Sequence, residues 1–195
     1  MLDAAERYPF MGNYDKVVGI IGASHIGRHL ISLLKPFRFR VLVYDPYLAE
    51  EEASDLGVTK VELRELTSHA DVVTIHAPSL PETEKLLDRR LIDELRPGAL
   101  LINTARGELI DQEALSQRLA RGDLFAVLEF VSPWDLPAES TLYDLPNVVL
   151  TPHIAGSMGT ELRRIAASAL REVARFAAGM PLEHAVVGSQ LSTTA

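Results

Sequence analysis

The stretch Gly22-Ala23-Ser24-His25-Ile26-Gly27 follows the apolar run Val17-Val18-Gly19-Ile20-Ile21 and leads into a helical pattern. Strand, glycine loop and helix in that order make the fingerprint of a dinucleotide site, in which a pyrophosphate rests on the N–H groups of a helix N-terminus. Gly22 permits the tight turn, and Gly27 lets the helix lie against the strand. Ser24 stands where a second glycine is usual, so its hydroxymethyl group weakens or shifts the cradle rather than abolishing it. Gly22, Ser24, His25, Ile26 and Gly27 are the candidate contacts to the pyrophosphate. Asp45 ends the next apolar run, Val41-Leu42-Val43-Tyr44, at the spacing of about 20 residues expected for an acceptor of ribose hydroxyls. A 2′-phosphate about 5 Å from that carboxylate would be repelled by roughly 3 kcal/mol at an effective dielectric of 20. No arginine follows to reverse the effect, since Pro46 and Tyr47 come next. NAD is therefore favoured over NADP, against the plainer reading of Asp45 as a turn residue before proline. The loop nearly spells a hydrolase nucleophile elbow around Ser24, but Ile26 occupies the place of the second glycine. His25 and His29 share a helical face at metal-ligand spacing, yet no third ligand is evident and no metal site is assigned.

These residues need a scaffold. Val72-Val73-Thr74-Ile75, Ala99-Leu100-Leu101-Ile102, Phe125-Ala126-Val127-Leu128 and Val148-Val149-Leu150 continue the series of short apolar runs. None alternates with polar residues, as expected of parallel strands covered on both faces. Helical patterns occupy 26–34, 63–68, 90–95, 112–121 and 160–178. The alternation predicts an α/β doubly wound sheet with right-handed crossovers, in the order 3-2-1-4-5-6, with the glycine loop at the switch point between strands 1 and 4. In the last helix Leu162, Ile165, Ala166, Ala169, Leu170, Val173 and Phe176 form an apolar stripe, and Gly179 can end it. That stripe must pack on the sheet or on a partner.

Composition bounds the rest. The 195 residues are 47% hydrophobic and 24% charged, ordinary for a globular chain able to bury a sizeable core. A net charge of −8 disfavours nucleic acid and anionic membrane surfaces. Cysteine is absent, which removes disulfides, thiolate metal sites and cysteine nucleophiles. Neither a secretory signal nor an apolar run of bilayer length is evident, so a cytoplasmic setting is expected.

Three further stretches carry a resemblance: Thr74-Ile75-His76-Ala77-Pro78, Ile102-Asn103-Thr104-Ala105-Arg106-Gly107 and Leu150-Thr151-Pro152-His153-Ile154-Ala155-Gly156. With the glycine loop, their order and spacing resemble the NAD-dependent D-isomer-specific 2-hydroxyacid dehydrogenases over about residues 16–187. The resemblance implies a Rossmann domain, hydride exchange between NADH and a 2-oxo acid, and dimers formed through the coenzyme domain. It implies a cofactor lined by Pro46, His76, Ala77, Pro78, Thr83, Thr104, Ala105, Arg106, Glu129, His153, Ala155 and Gly156. Arg106 then offers planar, permanently charged donors to the carboxylate and carbonyl of the oxo acid. His153 neutralises the charge that hydride leaves on the carbonyl oxygen. His69 and His184 are expected at the surface.

Two departures from the family pattern bear on catalysis. Ungapped alignment puts Glu129 where the family has an aspartate that meets the nicotinamide amide. It puts Trp134 where the family has the glutamate that pairs with the catalytic histidine. Asp135 is adjacent and substitutes only if the loop shifts by one residue. The resemblance leads us to expect the cofactor domain alone, either a fragment of a longer protein or a shortened relative, with residues 1–15 a remnant or linker, 16–187 the NAD-binding domain and 188–195 a frayed tail. The competing reading is a non-catalytic dinucleotide-binding or dimerisation module of the same fold.

Overall fold

The computed structural model describes residues 12–188; the expectations for residues 1–11 and 189–195 lie outside them. Parallel strands β1 (Val17–Ile21), β2 (Arg40–Tyr44), β3 (Thr59–Lys60), β4 (Val72–Ile75), β5 (Leu100–Asn103), β6 (Phe125–Leu128) and β7 (Val148–Leu150) build a single sheet. Helices α1 (His25–Leu34), α2 (Glu50–Leu56), α3 (Leu63–His69), α4 (Arg89–Glu94), α5 (Gln112–Leu119) and α6 (Glu161–Ala177) connect and follow the strands. Strand side chains feed two cores on opposite faces. In β1, Val18 and Ile20 pack with Ile31 of α1, whereas Ile21 joins Leu66, Val73 and Leu101 in the other core. This two-sided burial is why the strands lack polar alternation.

The sheet order is β3-β2-β1-β4-β5-β6-β7. The expected 3-2-1-4-5-6 order holds once Thr59–Lys60 is counted as the third strand. Numbered over the six apolar runs alone, that order would put Val72–Ile75 outside β2, whereas it pairs with β1. Two residues, Thr and Lys, offer no hydrophobic run to read. Helix α2 is likewise absent from the periodicity, because Glu-Glu-Glu-Ala-Ser-Asp-Leu buries only Ala53. The apolar stripe of α6 differs in another way: no residue of this helix is buried, and Phe176 is 76% exposed. Among the described residues nothing buries its face.

At Gly27, α1 lies directly against the glycine loop. A Cβ there would overlap the carbonyl oxygen of Gly22. Gly27→Ala therefore should push α1 off the loop and destabilise the fold by about 1–3 kcal/mol, the usual cost of overpacking. Urea unfolding of the two proteins measures the difference.

Candidate dinucleotide and substrate site

The last residues of neighbouring strands stand level. Ile21 pairs with Tyr44 and Ile75, Ile75 with Asn103, Asn103 with Leu128, and Leu128 with Leu150. Every loop that carries a candidate residue therefore leaves the same sheet edge. The ladder continues one step into these loops through Gly22 N–H to Tyr44 O (2.9 Å), His76 N–H to Ile21 O (2.7 Å), Glu129 N–H to Asn103 O (3.0 Å) and Thr151 N–H to Leu128 O (3.0 Å).

At the glycine loop, Gly22 has φ +98°, and a Cβ would stand 2.8 Å from the Ala77 nitrogen. Ser24 caps α1, accepting weakly from Gly27 N–H (3.4 Å) while its hydroxyl donates to the His76 carbonyl (3.0 Å). Its hydroxyl is thus engaged with the β4 loop. The N–H groups of His25 and Ile26 have no acceptor among the described residues, and both residues are exposed. They suit an anionic group at the helix N-terminus. Asp45 accepts from Ala23 N–H (2.7 Å) with one oxygen and from Tyr47 N–H (2.8 Å) with the other. It ties the glycine loop to the end of β2, and its remaining lone pairs can accept ribose hydroxyls. The free N–H groups and this placed carboxylate fit a dinucleotide.

Beyond the switch point, His76 lies part-buried with Nε2 3.0 Å from the Thr74 hydroxyl oxygen. Burial lowers its pKa below the ordinary histidine value. Thr83 turns inward: its hydroxyl accepts from Leu80 N–H (2.8 Å) and points to the Pro78 carbonyl (2.7 Å), bracing the loop. Pro46, Arg106, His153 and Gly156 are exposed along the same edge, while Thr104 and Ala105 are half-buried.

The loops after β5, β6 and β7 meet around one ring. The Arg106 guanidinium lies 5.1 Å over Phe130. His153 stands edge-to-face against Phe130 at 4.5 Å and against Trp134 at 5.4 Å between centroids. No carboxylate pairs with His153 among the described residues; Asp135 is exposed and makes no hydrogen bond or ion pair with it, while Trp134 is the neighbour of its ring. Glu129 is buried and accepts from the Ala155 N–H, joining the β6 and β7 loops.

Sequence reasoning missed Asn103, which is fully buried. Its amide accepts from Ala105 N–H (3.0 Å) and donates to the Arg106 carbonyl (2.8 Å), shaping the loop that presents the guanidinium. An asparagine ending an apolar strand is the signal for such a side-chain-to-backbone brace. Phe130 was also missed, as an aromatic at a strand end reads first as core.

Comparison with known proteins then decides the family. The pattern described as "D-isomer specific 2-hydroxyacid dehydrogenase, NAD binding domain" matches residues 3–155. The chain belongs to this family. As its NAD-binding domain, it is 35% identical over 182 residues to D-3-phosphoglycerate dehydrogenase of Bacillus subtilis, covering 92% of this chain and 35% of that protein. Among solved structures, apo D-lactate dehydrogenase from Escherichia coli superposes with TM-score 0.76 at 30% identity, covering 91% of this chain and 56% of that one. D-lactate dehydrogenase with NAD+ from Lactobacillus jensenii gives 0.79 at 27% identity, covering 95% and 62%. The NAD-binding domain thus spans about a third of that curated relative and little more than half of these crystallised chains.

The pH dependence of the domain should carry the His76 signature. With the folded pKa lowered, the unfolded chain binds the extra proton first, so stability is full above about pH 6.5 and falls as pH drops through the folded pKa. Urea unfolding at pH 7.5 and 5.5 should show this loss in wild type and a smaller one in His76→Gln.

Proposed function

We propose that the chain is the coenzyme-binding half of an NAD-dependent oxidoreductase that interconverts a 2-hydroxy acid and a 2-oxo acid. The observation that carries the reading is the meeting of Arg106 and His153 on Phe130, at the sheet edge that also holds the glycine loop and Asp45. Arg106 donates one N–H to the Ala105 carbonyl (2.7 Å), which leaves further donors for a substrate carboxylate and carbonyl. His153 gives a proton to the carbonyl oxygen during reduction and takes it back during oxidation. Bound NADH supplies the hydride. Glu129, whose carboxylate accepts from the Ala155 N–H, is assigned by the family resemblance to the nicotinamide amide.

A second reading, a dinucleotide-binding or dimerisation module without turnover, is favoured by one observation: two aromatic rings contact His153 where the family has a carboxylate. Either way the partners proposed are a second copy of the chain and a small acid. The uncovered face of α6 supports self-association. Its four arginines and two glutamates give +2, against −10 for the rest of the chain, so it is also suited to an acidic neighbour. A cytoplasmic setting without nucleic-acid or membrane partners completes the proposal, supported by the acidic charge; no described helix is long and apolar enough to cross a membrane.

Three measurements test this reading. Calorimetry should show NADH binding more tightly than NADPH, with Asp45→Ala narrowing the gap; equal affinities in wild type would remove the role of Asp45. Sedimentation should show concentration-dependent association that Phe176→Glu weakens. Turnover of NADH with pyruvate, glyoxylate or hydroxypyruvate should be slow in the chain by itself. Positioning and water exclusion by a further domain can supply about 7 kcal/mol or more of barrier lowering. Trp134→Glu addresses only the acid step, typically worth about 10²–10⁴-fold, and should recover little by itself. Robust turnover of the unmodified chain that His153→Ala abolishes would show that neither the further domain nor the carboxylate is needed.

A further inference from the structure

The side chains that face the proposed substrate share one contact. Phe130 is only 6% exposed, follows β6, and touches both Arg106 and His153. Trp134 closes a triangle of rings, 5.5 Å from Phe130 and 5.4 Å from His153. The imidazole itself makes no hydrogen bond or ion pair among the described residues, so ring contacts are what orient it.

Three loops hold Phe130 in place. Glu129 N–H donates to Asn103 O (3.0 Å), and the Glu129 carboxylate takes the Ala155 N–H. The Arg106 loop closes on the β6 loop at Gly107, where a Cβ would overlap the Val131 carbonyl and stand 2.8 Å from the Ser132 nitrogen. The aromatic side chain therefore sits where movement of any of these loops is resisted by the other two.

We propose that Phe130 is a positioning residue that sets Arg106 and His153 in mutual register, with Trp134 the second arm holding the imidazole. The proposal rests on reading Arg106 and His153 as the substrate-facing pair. A guanidinium is attracted to the negative face of an aromatic ring, and edge-to-face packing is directional. Such contacts serve a histidine that loses and regains a proton, because they persist in both states. A carboxylate partner instead favours the charged state. The aromatic bracket thus orients His153 without the acid that the family places at position 134.

The test uses the whole chain labelled uniformly with 15N and with 13C-histidine. In wild type, the His153 ring protons should be displaced by ring currents away from those of exposed His29 and His184. Phe130→Leu should lose that displacement with the sheet amide spectrum intact, whereas Phe130→Tyr should retain it. With NADH bound, Phe130→Leu should raise the half-saturation concentration of oxamate, an inert 2-oxo acid analogue, about tenfold, without changing NADH affinity. Wild-type His153 resonances at the exposed positions overturn the proposal, whatever the variants do. So does full displacement in Phe130→Leu, its loss in Phe130→Tyr, or unchanged oxamate affinity. If Phe130→Leu does not fold, the wild-type spectrum and Phe130→Tyr decide. Failure of NADH or oxamate to bind wild type counts against the proposed function instead, and the His153 resonances still report on Phe130.

Discussion

The site depends on parallel pairing in which six strands end level with one another. Parallel strands must return through crossovers, so each connection that starts at one edge ends at the other. All loops following the strands consequently gather on a single edge. Glycine loop, Asp45, His76, Arg106, Glu129 and His153 come from six different loops, separated by up to 131 positions between Gly22 and His153. No local interaction could bring them together. Level strand ends do so because each candidate lies within a few residues of a strand terminus.

Close backbone approach is the second constraint. Gly27 lets α1 reach the Gly22 carbonyl, and Gly107 lets the Arg106 loop reach the Val131 carbonyl. The first contact seats the α1 N-terminus against the glycine loop; the second holds the loop carrying the guanidinium to the loop carrying Phe130. Hydrogen bonds finish what these approaches begin. Asp45 fastens the glycine loop, Asn103 the Arg106 loop and Glu129 the β7 loop. Each is a polar side chain serving backbone groups, donors for Asp45 and Glu129 and both a donor and an acceptor for Asn103, at the ends of strands.

What could be read from the sequence followed from signals that are local and strong. The apolar runs of β1 and β4 to β7, the glycine spacing and the acidic residue ending β2 are each visible within a few residues. Thr59–Lys60 and α2 were not legible because their order comes from pairing with β2 and from Ala53 alone, without a run or stripe. Asn103 and Phe130 illustrate a different limit. Their roles exist only relative to loops distant in sequence, so residue type offered structural readings of equal merit. The place of Trp134 was legible through the family resemblance, but its contact with the His153 ring was not.

An indole at position 134 supports His153 in a physically different way from a carboxylate. A carboxylate beside an imidazole acts through charge, with a strength that depends on protonation and solvent. An indole acts through shape and a weak quadrupole, so it fixes direction while leaving the proton to be governed by other neighbours. Trp134 is 57% exposed and His153 lies open at φ +55°, so the bracket faces solvent in the single chain. Water at such a site screens charge, so the proposed proton transfer would gain from any surface that excludes it. Ring contacts of Phe130 and Trp134 give the His153 imidazole a direction, whereas the dielectric in which any charge there acts depends on how much water reaches it.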